Sequence, residues 1–126
     1  ERQLQAALPR ESEPMLQRLI GYAQKVPAAG LNLRGAADYL AMSPRTLSRK
    51  IDQHARMGAG EWLRLVKLRQ VANALLASPA PVKTICAEIG FTDEASLLRA
   101  FKKATGMTTS QYRQQYGHSV NSFLPG

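Results

Sequence analysis

Arg45 and Arg49 stand four residues apart in the stretch MSPRTLSRKI, a spacing that puts both guanidinium groups on one side of a helix. A guanidinium fork can bond bidentately to paired acceptors, such as O6 and N7 of guanine. A second stretch, DEASLLRAFKK, carries Arg99 at the position matching Arg49. If Leu47 and Ile51 face inward in the first helix, its outward face offers Arg45, Thr46, Ser48, Arg49 and Lys50. If Leu97 and Phe101 face inward in the second, its outward face offers Glu94, Ala95, Leu98, Arg99, Lys102 and Lys103. Lys50, Lys102 and Lys103 suit phosphate, which gives affinity without sequence information. Ala95 and Leu98 offer only apolar contact, for instance to a thymine methyl. Asp93 and Glu94 either cap their helix or accept a hydrogen bond from a cytosine amine. The first stretch is therefore expected to read sequence more sharply than the second. The competing reading leaves the arginines solvated or touching phosphate alone.

Other chemistries find little support. Cys86 is the one cysteine, so no internal disulfide can form, which fits a reducing cytoplasm. His54 and His118 share no metal-ligand spacing with it. Cys86 reads as a small hydrophobe where two helices approach closely, matched by Ala37 in the other stretch. The chain offers no nucleophile–base pair, paired carboxylates, phosphate-cradling glycine loop or metal cluster, so neither an enzyme nor a cofactor is expected. No segment reaches the ~18 apolar residues of a membrane span.

The elements behind these faces come from a repeat. Residues 33–62 read LRGAADYLAMSPRTLSRKIDQHARMGAGEW, and residues 82–112 read VKTICAEIGFTDEASLLRAFKKATGMTTSQY. Aligned, Ala37 falls on Cys86, Leu40 on Ile89 and Met42 on Phe91. After a one-residue insertion, Leu47 falls on Leu97, Ile51 on Phe101, Met57 on Met107 and Trp62 on Tyr112. Such repetition marks two copies of one supersecondary unit, each with a helix-turn-helix pattern. Ser12 is expected to cap a helix that Pro27 and Gly30 end. Asn32 caps the next, about 33–41, and Ser43-Pro44 starts a third running to about His54. Gly58 and Glu61 open a long helix over roughly 59–77, with an apolar stripe of Trp62, Leu65, Leu68, Ala72, Leu75 and Leu76. Ser78-Pro79-Ala80-Pro81 stops it. Then come a helix over 82–89 closed by Gly90, one from Asp93 capped by Thr92, and one from a Thr108–Gln111 capping box to about Tyr116. Residues 1–12 read as a linker remnant of an upstream domain and 118–126 as a flexible tail.

Of 17 cations and 9 anions, thirteen cations and six anions lie in residues 32–117, a net of +7 within a total of +8. A solubility charge is one explanation, and attraction to a polyanion such as nucleic acid is the other. A nineteen-residue rod spans ~28 Å, close to the ~34 Å between major-groove faces one turn apart. One chain could then place two helices in adjacent grooves, with Arg64, Lys67 and Arg69 of the rod near the backbone between them or simply solvated.

The first stretch and GFTDEASLLRAFKKATGMTTSQYR together resemble the DNA-binding domain of the AraC/XylS family of bacterial transcription regulators. The resemblance covers about residues 13–117. It implies an all-α fold of about seven helices: a first helix-turn-helix subdomain over 13–57, a linker helix over 59–78 and a second subdomain over 79–117. It also implies double-stranded DNA as partner, contact with RNA polymerase during activation, and a separate upstream effector or dimerisation domain. Arg45, Ser48 and Arg49, with Glu94, Ala95, Leu98 and Arg99, match the family's reading positions. Arg56 and Gly58 replace the customary Gly and Ser after the first reading helix, and Thr109-Ser110 replaces a proline-containing start of the last one. A helical protein-interaction module facing an acidic partner is the alternative function, and it would show no preference among DNA sequences.

Overall fold

The structure, a computed structural model, describes residues 14–117. The expectations for Ser12, for the linker over 1–12 and for the tail over 118–126 lie outside the described residues. All regular elements among the described residues are helical: α1 (Pro14–Lys25), a short 3-10 turn (Ala28–Gly30), α2 (Leu33–Tyr39), α3 (Pro44–Ala55), α4 (Ala59–Ala77), α5 (Val82–Ile89), α6 (Glu94–Thr105) and α7 (Thr109–Tyr116).

Local signals set most boundaries. The Asn32 side chain accepts from the Gly35 amide at 2.8 Å, and Ser43 Oγ accepts from the Thr46 amide at 3.1 Å. The Thr108–Gln111 capping box closes in both directions. Two boundaries differ from expectation. Asp93, not Thr92, caps α6, because its carboxylate accepts from the Ser96 amide at 2.7 Å and the helix begins one residue later. Helix α2 ends at Tyr39 because Ala41 is left-handed at φ 57°.

The left-handed turns repeat with the sequence. Ala41 (φ 57°) matches Gly90 (φ 90°), and Arg56 (φ 59°) matches Gly106 (φ 78°). The first copy thus holds side-chain-bearing residues where the second holds glycine. A left-handed non-glycine residue costs roughly 1–2 kcal/mol, partly offset by the greater freedom that glycine loses on folding. Arg56→Gly is therefore expected to raise unfolding stability by on the order of 0.5–1 kcal/mol, measured as a higher urea midpoint with unchanged slope. An unchanged or lower midpoint would show that the Arg56 side chain has offsetting contacts.

Two apolar cores form, and α4 serves both. The N-terminal core joins Leu16 and Leu19 of α1, Ala36 and Ala37 of α2, and Leu47 and Ile51 of α3 to Trp62, Leu63 and Val66 of α4. The C-terminal core joins Leu65, Leu68, Val71 and Leu75 of α4 to Ile85, Cys86, Leu97, Phe101 and Tyr112. The single stripe expected on α4 is therefore too narrow. Leu63, Val66 and Val71 are buried beside it, and Leu76 is only partly buried. A helix with a different core on each of two faces shows weak amphipathic periodicity. Lys67, expected near solvent, is buried as well.

Hydrogen bonds also bind the parts together outside the cores. Gln70 Nε2 donates to the Gln24 carbonyl at 3.1 Å, tying α1 to α4. The Ala29 amide donates to the Gly90 carbonyl at 2.8 Å, joining the two halves directly. Arg113 of α7 donates to the carbonyls of Leu75, Ser78 and Ala80 at 2.8–2.9 Å, gripping the end of α4.

Candidate nucleic-acid interface

Helices α3 and α6 are the second helices of the two repeated units. Each turns its apolar face fully inward: Leu47, Ile51, Leu97 and Phe101 are all completely buried. On α3 this leaves Arg45 and Arg49 exposed, with Ser48 and Lys50 partly exposed. Thr46 is partly withdrawn, because its hydroxyl accepts from Ser43 Oγ at 2.9 Å within the helix cap. On α6, Glu94, Ala95, Arg99, Lys102 and Lys103 are exposed. Leu98 is 36% exposed, one of two large apolar side chains so displayed among the described residues. The faces expected from sequence are thus the faces the fold presents.

Local electrostatics distinguish the two copies. Hydrogen bonds from the Ser96 amide and side chain hold the Asp93 carboxyl below its usual range, and the Arg99 charge adds to them. Arg99 Nη2 in turn reaches Ser96 Oγ at 3.4 Å. Asp93 is therefore occupied in capping. Burial first, then the Glu94 and Asp93 charges, push the Cys86 thiol up, which keeps it neutral and unreactive. Among the described residues no group of three or more His, Cys, Asp or Glu could hold a metal. No helix among them is long and apolar enough to cross a membrane.

Two associations escape sequence reasoning. Arg64 of α4 lines one surface depression with Ser96, Arg99 and Lys103 of α6. Thr108, Thr109 and Ser110 line another with Leu98, Arg99, Lys102 and Lys103. The capping box marks the start of α7, but its placement beside α6 depends on packing. Of the rod cations, Arg64 is exposed, Arg69 partly exposed and Lys67 enclosed.

Residues 36–115 match the sequence profile of the family described as Helix-turn-helix domain. The chain is 29% identical over 100 residues to the HTH-type transcriptional activator RhaS of Pectobacterium atrosepticum, covering 79% of this chain and 36% of RhaS. It is 26% identical over 93 residues to the arabinose operon regulatory protein of Escherichia coli, covering 74% of this chain and 32% of that protein. It thus spans about a third of the length of these curated relatives. Among solved structures, the C-terminal domain of AraT, a response regulator from Geobacillus stearothermophilus, superposes with a TM-score of 0.70 at 30% identity. That match covers 84% of this chain and 88% of that one. The chain belongs to the AraC-type helix-turn-helix family, the DNA-binding domains of bacterial transcription regulators.

Proposed function

We propose that α3 and α6 enter adjacent major grooves on one face of a DNA duplex, so that one chain reads a two-part, non-palindromic site. The observation that carries this reading is the pair of equivalent helices, each with an exposed arginine at the matched position (Arg49 and Arg99), fixed to one shared rod. Arg45 and Arg49 read bases, helped by Ser48. Arg99 reads in the second groove with apolar help from Ala95 and Leu98, and Glu94 flanks it. Lys50, Lys102, Lys103 and the partly withdrawn Thr46 hold phosphates and set register. Functionally, 13–57 and 79–117 are the two reading units and 59–78 the spacer. In the full-length regulator this domain acts in the cytoplasm beneath an effector or dimerisation domain and touches RNA polymerase. The relatives' threefold greater length supports the presence of a further domain in such a regulator.

The test begins with a duplex selected from random sequence. Arg49→Ala should weaken binding to it by about 1–3 kcal/mol, with a smaller loss on a scrambled duplex. Lys102→Ala should weaken both duplexes alike and make the salt dependence shallower by about one unit. Equal losses on both duplexes for Arg49→Ala would mean that this arginine touches only phosphate. Footprinting of the same complex should protect two segments one helical turn apart, and a single protected groove would remove α6 from base reading.

A further inference from the structure

Between the two halves lies a solvent-open cleft of about 390 Å³, within the size range of small-molecule sites. The segment from Ala28 to Leu33 forms one wall, Phe91, Thr92 and Ser96 form the other, and α4 forms the floor with Leu63, Arg64 and Lys67. Lys67 is only 2% exposed, and lysine is almost never so enclosed unless paired. Its hydrogen bond goes to Gln70 Oε1 at 3.1 Å. Gln70 is itself anchored to the Gln24 carbonyl, so the pair is fixed in place. Among the described residues no ion pair to Lys67 is seen, and burial lowers its pKa. An ammonium carries three donors, and one is used here. A buried cation in this state is stabilised by an anion.

The rest of the cleft indicates what kind of anion. Arg64 is exposed and supplies a second cation, and Thr92 and Ser96 also line the cleft, the Ser96 hydroxyl being engaged already by Asp93 and Arg99. Leu31, Leu33, Leu63 and Phe91 supply apolar surface. We propose that this cleft binds a small organic monocarboxylate, its oxygens held by Lys67 and Arg64 and its apolar body lying on Leu31, Leu63 and Phe91. The ligand touches both halves and the rod, so its occupancy ties together the units that carry α3 and α6. The cleft adjoins α6 through Ser96 but uses none of the residues assigned above to base reading, and the proposal stands whether or not those residues bind as proposed.

Cyclohexanecarboxylate is a suitable probe, with cyclohexanecarboxamide as its uncharged match and inorganic phosphate as a plain anion. Titrated into the DNA-free chain by NMR, the carboxylate should shift the amides of Leu31, Phe91 and Ser96 saturably. The carboxamide should bind at least tenfold more weakly. Lys67→Met should lower carboxylate affinity at least tenfold, and the exposed Arg64→Gln several-fold, with the helical spectrum unchanged. If Lys67→Met does not fold, Arg64→Gln and the carboxamide comparison decide the matter between them. Equal binding of acid and amide, or no saturable binding of either, overturns the proposal. So does phosphate binding as tightly as the carboxylate together with a shallower salt dependence of DNA binding in Arg64→Gln, because the cleft would then seat a DNA phosphate.

Discussion

Gly90→Ala is expected to destabilise the chain by roughly 2–5 kcal/mol, through left-handed backbone strain and through overpacking. A Cβ at this position would stand 2.5 Å from Pro27 Cβ and 2.8 Å from Pro27 Cα, and the second of these is backbone that cannot swing away. The first copy of the repeat shows that the turn alone does not demand glycine, since Ala41 takes the equivalent left-handed position at φ 57°. What demands it is the close approach of the Pro27–Gly30 turn, which also places the Ala29 amide 2.8 Å from the Gly90 carbonyl. Gly106→Ala is the internal control. Gly106 has the same handedness at φ 78° but open space around its would-be Cβ, so that variant should lose only about 1–2 kcal/mol. Urea unfolding of the two variants side by side measures the difference. Equal losses would mean that the contact between the halves yields without cost.

Arg113→Met should cost about 2–4 kcal/mol in the same assay, from the loss of hydrogen bonds made by a charged donor and from the carbonyls left behind. Arg113 donates through Nε to Leu75 and through Nη2 to Ser78 and Ala80. The last carbonyls of a helix have no partner within it, and a cation there also meets the negative end of the helix dipole. In the segment after α4 the Ser78 amide serves Ala74 and the Ala80 amide serves Ser78 Oγ, while Pro79 and Pro81 carry none, so no amide there is left for Leu75. Arg113 supplies the donor from α7, holding α4 against the second half. Arg113→Lys keeps the charge but not the fork, so it should recover less than half of the loss. Full recovery by lysine would show that charge alone matters.

These two positions mark the limit of what the residues alone disclosed. Helix ends were legible where the signal was local, as at Asn32, Ser43 and Thr108, whose side chains bond within three residues. The Thr92 and Asp93 choice failed by one residue because both are competent caps, and only the backbone geometry decides between them. The exposed faces of α3 and α6 were legible because Leu47, Ile51, Leu97 and Phe101 fix which way each helix turns. The grip of Arg113, the approach at Gly90 and the burial of Lys67 were not legible. Each joins segments far apart in the chain, and no local pattern encodes such a meeting. Lys67 is the clearest case, since a lysine on a basic rod reads as solvated until both neighbouring cores are in place.

The rod's two buried faces limit how such a protein can be rearranged. Trp62, Leu63 and Val66 belong to one core, while Leu65, Leu68 and Val71 belong to the other, and the two sets interleave along the same turns of α4. No cut within that helix separates a complete first half from a complete second half. A chimera taking its N-terminal unit from one relative and its C-terminal unit from another must match the inherited rod to both, residue by residue. Exchanging the solvent-facing side chains of α3 and α6 leaves every core contact untouched. If α3 and α6 read DNA as proposed, new operator preferences are therefore reached more readily by surface substitution than by shuffling of modules.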